Sequence, residues 1–189
     1  MRGISIVVPA FNSAGTLDVL AGRVFRTLRV MGIKFELILV NDGSSDQTWE
    51  VIQTLVSRND WVIGINLSQN FGQHNALLCG IDLAQFETCV TLDDDLQYPP
   101  EEIPNLTDKL EHGYELVYGI PIISGHSSAK RLGGSIARTF ALHCLFIRTS
   151  RAMSAFRAFK TNLRDGFGNV SGLFVSLYAL LNQETRTVG

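Results

Sequence analysis

The sequence predicts an α/β fold in which a mostly parallel sheet is covered by helices on both faces. Short runs rich in β-branched residues alternate with longer stretches of helical spacing, and each short run is apolar almost throughout. Continuous apolar strands are typical of parallel sheets, because helices bury both faces of such a sheet. The 189 residues are enough for one domain with a sizeable core.

The predicted elements follow one another in regular alternation. Gly32 is expected to end the first helix, and Ser45 or Asp46 is expected to cap the second. Strands are predicted at residues 4–8, 37–40, 61–65, 88–92 and 115–118. Helices are predicted at residues 14–31, after residue 46, at 72–84 and at 100–111.

Composition and charge exclude several classes of protein. Hydrophobic residues make up 46% of the chain and charged residues 18%, which excludes a disordered charged tail. The net charge of −2 excludes a globally basic nucleic-acid-binding protein. The three cysteines form no CxxC pair, so neither a disulfide scaffold nor a structural zinc site is expected. No apolar run is long enough for a membrane span or a signal peptide, and we therefore expect an intracellular protein.

Charge is distributed unevenly along the chain. Residues 93–115 contain eight acidic residues and one lysine, whereas residues 126–164 contain eight basic residues and no acidic one. The basic stretch fits a solvated helix face, a nucleic-acid surface or an anionic membrane surface. The aromatic and aliphatic residues between its basic residues favour the membrane surface.

Polar residues follow each of the first four predicted strands. Asn12 follows the first strand, Asp42 the second, Asn70 the third and Asp93 the fourth. The carboxyl ends of parallel strands lie along one edge of a sheet, and ligands bind beyond that edge in open α/β sheets. The sequence therefore predicts a ligand site at this edge.

Three adjacent carboxylates, Asp93, Asp94 and Asp95, are the most specific feature of that edge. On their own they fit an acidic cap for the helix that follows. Their position directly after a strand, with Gln97 two residues beyond them, favours a site for Mg²⁺ or Mn²⁺. These cations take oxygen ligands and can keep positions open for a substrate diphosphate.

Asp42 has two interpretations. Its carboxylate at a strand tip can accept an N–H from a uracil or guanine base, whereas the residues after it fit a turn and a helix cap. The sequence contains no P-loop, no GxGxxG motif and no nucleophile elbow. These absences disfavour a P-loop nucleotidase, a dinucleotide enzyme and a serine hydrolase.

These residues lie in segments that resemble the family 2 glycosyltransferases, which have the GT-A fold. The segments are residues 6–12, 40–46, 70–73 and 92–101. The last two are similar in particular to the polyprenyl-phosphate glycosyltransferases of that family. The segment Ser154-Ala155-Phe156-Arg157 also resembles a later Phe-Arg segment of the group.

The resemblance implies an inverting, metal-dependent transferase that moves a sugar from a nucleotide sugar to a polyprenyl phosphate. A UDP-sugar is favoured as donor over GDP-mannose, with Mg²⁺ or Mn²⁺ as cofactor. Residues 1–120 are expected to form the nucleotide-sugar-binding core. Residues 121–189 are expected to form an acceptor- and membrane-facing basic helical segment of the same domain, in a chain truncated relative to the family.

The resemblance also assigns individual residues and a location. Nucleotide-sugar contacts are assigned to Pro9, Ala10, Asn12, Asp42, Asp93 and Asp94. Binding of the metal ion is assigned to Asp93, Asp95 and Gln97. Catalysis is assigned to Asp95, Arg131 and Arg157. The guanidinium groups of the two arginines would lie near the donor diphosphate or the lipid phosphate. The protein is expected to be peripheral at the cytoplasmic face of the membrane, in cell-envelope synthesis, without nucleic acid and with scope for a homo-oligomer.

Two departures from the family pattern keep alternatives open. Asn41 stands where the family usually has an acid, and no Arg-x-x-Arg pair follows Tyr118-Gly119. A family 2 transferase acting on a saccharide hydroxyl would need a late catalytic carboxylate, and Asp165 and Glu184 are the only acids after Glu115. A non-catalytic module that binds nucleotide or docks on membranes is the other alternative.

Overall fold

The fold is seen in a computed structural model that describes residues 1–119, 155–167 and 181. Its strands are β1 (Ile4–Ala10), β2 (Phe35–Asn41), β3 (Val62–Asn66), β4 (Thr88–Thr91), β5 (Leu116–Tyr118) and β6 (Arg157–Lys160). Its α-helices are α1 (Leu17–Met31), α2 (Thr48–Arg58), α3 (Gln73–Leu83) and α4 (Ile103–Glu111), with 3₁₀ turns at Pro100–Glu102 and Thr161–Phe167.

The six strands form one sheet in the order β3-β2-β1-β4-β6-β5. The pairs β1–β2, β1–β4 and β2–β3 are parallel, which confirms the predicted mostly parallel sheet. Strand β6 is antiparallel to both of its neighbours, β4 and β5. It was not predicted as a strand, because it belongs to the basic stretch assigned to acceptor and membrane contacts.

Helices cover both faces of the sheet, as predicted. On one face, Leu20 and Val24 of α1 pack with Ile52 of α2 and Leu106 of α4 against alternate residues of β1. On the other face, Leu77 and the rest of the apolar side of α3 pack against β1 and β2. Every residue of β1 is buried, which is expected of a strand with parallel neighbours on both sides and helices above and below.

The helix ends follow local chemistry. Gly32 ends α1 in the left-handed conformation, with φ +65°, as predicted. Helix α1 begins at Leu17 rather than at residue 14, because residues 14–16 form a turn in which the N–H of Thr16 donates to the carbonyl oxygen of Ser13 at 3.0 Å. Asp46 Oδ1 accepts the N–H of Thr48 at 3.0 Å, and this hydrogen bond satisfies the first N–H of α2. The residue at the N-cap position itself is Gln47.

Most of the predicted basic segment, including Arg131, lies outside the described residues. Arg164, one of its basic residues, has a role in the fold. Its Nη1 donates to the carbonyl oxygens of Ile81, Asp82 and Ala84 at the carboxyl end of α3, at 2.7–3.0 Å. None of the helices in the described ranges is both long enough and apolar enough to cross a bilayer.

The close contact between α3 and the sheet predicts opposite effects for two glycine substitutions. A Cβ on Gly80 would lie 2.4 Å from Val7 Cγ1 in the core, whereas one on Gly22 of α1 would meet only Arg26 Nη1, at 3.4 Å. We expect Gly80→Ala to destabilise the protein by about 1–3 kcal/mol through overpacking. Gly22→Ala should stabilise it by about 0.5–1 kcal/mol, because alanine favours the helix. Urea unfolding of both variants tests this, and a stabilised Gly80→Ala would contradict the described packing.

Candidate active site

A cavity of about 350 Å³ lies at the carboxyl ends of β1, β2 and β4, where the sequence predicts a ligand site. Strand β1 lies between the other two, so their loops face each other across it. The cavity is lined by Pro9, Ala10, Phe11, Asp42, Asn70, Gly72, Gln73, Asp93, Asp94 and Asp95.

Asp42 is held at the β2 edge of this cavity. Its side chain is buried, with 3% of the residue exposed, and Oδ1 accepts the N–H of Phe71 at 2.7 Å. The following residue, Gly43, has φ +65°, and a Cβ there would lie 2.4 Å from the backbone N of Asn70. The β2 and β3 loops therefore pack backbone to backbone, which fixes the carboxylate against the cavity.

Asn41, where the family usually has an acid, connects these loops through both ends of its amide. Its Nδ2 donates to Asn66 Oδ1 at 2.6 Å, and its Oδ1 accepts the N–H of Ser44 at 3.3 Å. The side chain at position 41 therefore joins the turn after β2 to the end of β3.

Asn12 connects the β1 loop to the β2 loop. It has φ +54°, which asparagine tolerates better than most residues, and its Oδ1 accepts the N–H of Ser45 at 2.9 Å. Its own N–H donates to Ser44 Oγ at 2.9 Å. Asn12 is not among the residues that line the cavity, so its predicted contact with nucleotide remains a prediction.

Asp93 lies half-buried at the end of β4. Its Oδ1 accepts an N–H from Gln73 Nε2 at 2.6 Å. Burial, together with the neighbouring charges of Asp95 and Asp94, raises the pKa of Asp93 to about 6, and the smaller effects of Arg157 and Gln73 oppose this shift. The turn therefore holds more negative charge than its surroundings compensate.

Asp95 and Gln97 lie in a tight turn after Asp93. Asp95 Oδ1 accepts the N–H of Gln97 at 2.9 Å, and the residue between them, Leu96, has φ +61°. This conformation is unfavourable for a bulky side chain, and it is maintained here while Leu96 packs on the core. Gln97 lines a neighbouring cavity of about 400 Å³ rather than the one with Asp95, so its predicted role as a metal ligand remains a prediction.

Arg157 is the most deeply buried cation in the described ranges, with 2% of the residue exposed. It begins β6, pairs with Thr91 of β4 and with Tyr118 of β5, and its Cζ lies 6.0 Å from the centre of the Tyr118 ring. Nε and Nη1 have no hydrogen-bond partner among the residues that the structure describes. Burial lowers the pKa of Arg157, and the charges of Tyr118 and Asp93 oppose this shift.

His74 belongs to the same neighbourhood. It is the second residue of α3. Burial, and to a lesser extent the positive charge of Arg157, lower the pKa of the imidazole. Arg157 pairs with Thr91, two residues before Asp93, which places its backbone at the carboxyl end of β4.

The residues of the turn fit a divalent cation. Asp93 and Asp95 supply carboxylate oxygens, the donors that Mg²⁺ and Mn²⁺ prefer, and the uncompensated charge on Asp93 favours a cation beside it. Within the described ranges, no three acidic, histidine or cysteine side chains come close enough to complete a metal site. The other ligands would have to come from the substrate or from elsewhere in the chain.

The structure brings together most of the predicted site residues. Pro9, Ala10, Asp42, Asp93, Asp94 and Asp95 line one cavity, and Arg157 lies beside it. Phe11 and Gln73 line the cavity without having been predicted as site residues. Gln73 belongs to the segment Asn70-Phe71-Gly72-Gln73, which carries the family resemblance, but nothing in the sequence indicates that its side chain reaches Asp93.

The raised pKa of Asp93 predicts how stability depends on pH. Below about pH 4 the Asp93 carboxyl is protonated in both the folded and the unfolded chain. Between about pH 4 and 6 this carboxyl ionises in the unfolded chain but stays mostly protonated in the folded chain. The stability that the neutral form of Asp93 provides is therefore lost as pH rises through this window. In metal-free buffer at pH 7.5, Asp93→Asn should raise Tm by a few degrees, and the gain should vanish near pH 4.

The amide in this variant keeps an oxygen that can accept from Gln73, so the change isolates the charge. Asp60→Asn, which removes an exposed carboxylate before β3, is the matched control and should change Tm little at either pH. Thermal unfolding followed by circular dichroism measures both variants. An unchanged or lower Tm for Asp93→Asn at pH 7.5 would show that the carboxylate is not in an electrostatically unfavourable position.

Comparison with known structures confirms the predicted GT-A fold. The structure of TarS residues 1–349 from S. aureus in complex with UDP matches with a TM-score of 0.64 and 17% identity, over 99% of this chain and 57% of that one. The mannosyltransferase PcManGT from Pyrobaculum calidifontis, in complex with GDP-Man and Mn²⁺, matches with a TM-score of 0.63 and 19% identity, over 89% of this chain and 47% of that one.

Comparison with known sequences identifies closer relatives. The chain is 43% identical over 115 residues to an undecaprenyl-phosphate 4-deoxy-4-formamido-L-arabinose transferase from Shewanella sediminis, covering 60% of this chain and 35% of the relative. It is 39% identical over 118 residues to the transferase of the same name from Pseudomonas paraeruginosa, covering 62% and 35%. The chain thus spans about a third of the length of these relatives.

The family assignment covers more of the chain than either relative does. Residues 5–175 match the sequence profile described as glycosyl transferase family 2. This range includes every predicted site residue, from Pro9 to Arg157. The chain therefore belongs to glycosyl transferase family 2.

Proposed function

We propose that this chain is the donor-binding core of an inverting glycosyltransferase that moves a sugar from a UDP-sugar to a polyprenyl phosphate. The observation that carries the proposal is the cavity in which Asp42 of the β2 loop faces Asp93 and Asp95 of the β4 turn. These loops are two strand spacings apart, roughly 10 Å. That separation suits a ligand with a hydrogen-bonding base at one end and a diphosphate at the other.

The relatives support both substrates of this proposal. The similar sequences are named for transfer to undecaprenyl phosphate. The similar structures include TarS with UDP-GlcNAc, and glucosyl-3-phosphoglycerate synthase from Mycobacterium tuberculosis with Mn²⁺ and UDP-glucose, at a TM-score of 0.56. One neighbour binds GDP-Man instead. A UDP-sugar is therefore the favoured donor, and GDP-mannose is the alternative that the binding experiment below distinguishes.

Asp42 would recognise the base. Its Oδ1 is occupied by the N–H of Phe71, which orients the carboxylate and leaves Oδ2 to accept an N–H from the base. Uracil and guanine both present such a donor, whereas cytosine lacks a ring N–H. Because Asp42 is buried and held by a backbone group, little side-chain entropy is lost when the base binds.

Asp93 and Asp95 would bind the donor diphosphate through Mg²⁺ or Mn²⁺. When bound, the cation would stabilise the negative charge of the departing nucleoside diphosphate. Gln73 donates to Asp93 Oδ1, and the N–H of Gln97 donates to Asp95 Oδ1, so each carboxylate is held by one of its oxygens. The remaining oxygens are the candidate ligands.

The acceptor phosphate needs little general-base catalysis, because its oxygen is already ionised at neutral pH. What the reaction needs is positive charge, since an anion must approach an anionic donor. Arg157, with two donor nitrogens lacking partners among the described residues, is suited to neutralise phosphate oxygens beside Asp93. In-line attack on the anomeric carbon would invert its configuration. Arg131 is proposed for the same task from the family resemblance alone.

A polyprenyl phosphate resides in a membrane, so the proposal includes a membrane surface as partner. The apolar and basic residues of 121–189 would contact that surface from its cytoplasmic side. Residues 1–120 would bind the donor, together with β6, which supplies Arg157 from the later segment.

Two alanine variants separate the predicted roles of the two ends of the cavity. We expect wild-type protein to bind UDP more tightly with Mn²⁺ than with EDTA. Asp42→Ala should weaken UDP binding about 10- to 100-fold in both buffers, because it removes a charge-assisted hydrogen bond to the base. Asp95→Ala should remove the gain from Mn²⁺ and leave binding in EDTA near that of wild type. Calorimetric titration of UDP and GDP measures these affinities.

Transfer is then assayed with polyprenyl phosphate and a panel of UDP-sugars, including wild type and Asp95→Ala. Metal-dependent transfer that Asp95→Ala loses supports the proposal. If Asp95→Ala transfers sugar at the wild-type rate, the assignment of Asp95 as a ligand of the metal ion is wrong. Tight UDP binding without transfer to any acceptor would favour the non-catalytic alternative, and GDP binding in place of UDP would reassign the donor.

Replacing Arg157 by methionine should separate its contribution to stability from its contribution to catalysis. A buried guanidinium whose Nε and Nη1 find no partner in the described ranges does little for folding, so Arg157→Met should leave Tm unchanged or raise it. Transfer should nonetheless fall by about 100-fold, because the phosphate charge is no longer compensated.

Arg164→Met is the matched control for this substitution. The guanidinium of Arg164 donates to three carbonyl oxygens at the far end of α3, so its loss should lower Tm and leave the affinity for UDP unchanged. Thermal unfolding, UDP titration and transfer rates are measured on both variants. Full transfer activity in Arg157→Met would remove Arg157 from the catalytic site.

A further inference from the structure

We infer that Asp94 is a positioning residue, whose carboxylate ties the β4 turn to the β1 loop and so holds Asp93 and Asp95 in place for a divalent cation. This inference rests on the proposed function, and it reassigns Asp94, which the family resemblance places among the nucleotide-sugar contacts. It concerns how the acidic turn is held, since the cation itself is taken to bind through the two flanking carboxylates.

The hydrogen bonds of Asp94 distinguish it from its neighbours. Asp94 Oδ2 accepts a hydrogen bond from the hydroxyl of Ser13, and it also accepts the N–H of Phe11 at 3.3 Å. Both donors lie more than 80 residues away in the chain, in the loop after β1. Asp93 instead accepts from Gln73 of α3, and Asp95 accepts from within its own turn.

Ser13 provides a fixed point for this contact. It is 9% exposed, and its N–H donates to Thr48 Oγ1 at 2.7 Å. Thr48 begins α2, and Asp46 Oδ1 accepts both its N–H and its hydroxyl. Asp94 is therefore joined, through Ser13, to a chain of hydrogen bonds that ends at the first turn of a helix.

The arrangement also has an electrostatic consequence. Three carboxylates in succession repel one another, and this repulsion tends to open the turn before a cation arrives. Hydrogen bonds from a hydroxyl and an amide offset that repulsion for Asp94 and direct one of its oxygens toward the β1 loop. With Asp94 fixed at the centre of the turn, the side chains before and after it are constrained to the positions from which they line the cavity.

Three single variants and one double variant test the inference. Asp94→Ala and Ser13→Ala each break the contact. Asp94→Asn removes the charge but keeps a side-chain oxygen that can accept from Ser13 and Phe11. The double variant Ser13→Ala/Asp94→Ala shows whether the two residues act together. For each protein, Mn²⁺ alone is titrated first, then UDP with Mn²⁺ and with EDTA, and Tm is recorded.

We expect Asp94→Ala and Ser13→Ala each to lower the affinity for Mn²⁺ about tenfold relative to wild type. The double variant should lower it by no more than about twentyfold, because both substitutions break the same contact. Asp94→Asn should stay within about threefold of wild type. UDP binding in EDTA should be unchanged in Ser13→Ala, because Asp42 and the β2 loop are intact and Ser13 does not line the cavity. A purely structural role would lower Tm without changing the affinity for Mn²⁺, and would overturn the inference.

A direct ligand role for Asp94 would give a different pattern. Asp94→Asn would then weaken Mn²⁺ binding as much as Asp94→Ala, and Ser13→Ala would have no effect. The titration of Mn²⁺ alone also separates this inference from the proposed function. If wild type binds Mn²⁺ but neither UDP nor GDP, the donor assignment fails, and the variants still decide the role of Asp94. If wild type binds Mn²⁺ neither alone nor in the presence of UDP or GDP, the inference is overturned.

Discussion

The candidate site depends on the burial of strand β1 in the middle of the sheet. All seven residues of β1 are buried, and the strand is paired in parallel with β2 on one side and β4 on the other. This pairing aligns the carboxyl ends of the three strands, so their loops open at one edge. The core on both faces of β1 therefore determines that Asp42, Ala10 and Asp93 share one cavity.

Hydrogen bonds between the loops then refine this arrangement. Asn12 joins the β1 and β2 loops, Asn41 joins the β2 turn to β3, and Asp94 joins the β4 turn to the β1 loop. These contacts use side-chain amides, hydroxyls and carboxylates in place of regular backbone pairing. A site assembled in this way is rigid before its ligand arrives, which reduces the ordering that binding requires.

The charged groups at the site are a partly exposed acidic turn and the buried guanidinium of Arg157. Asp93 is held where burial and neighbouring carboxylates make its charged form unfavourable, whereas Nε and Nη1 of buried Arg157 lack hydrogen-bond partners among the residues that the structure describes. Neither arrangement favours folding, since buried or crowded charge is costly without a partner. A bound cation beside Asp93 and phosphate oxygens beside Arg157 would offset these costs, which is consistent with the proposed function.

The sequence by itself determined the fold class, the edge at which the site lies and most of its acidic residues. Apolar strand runs and helical spacing are local signals, and the segments after the strands carry the family resemblance. Only the tertiary structure decided that β6 enters the sheet between β4 and β5, that Gln73 reaches Asp93, and that Asp94 bonds to Ser13. These contacts join residues 20 to 81 positions apart, and no local pattern encodes which distant side chain a polar group will meet once the strands are aligned.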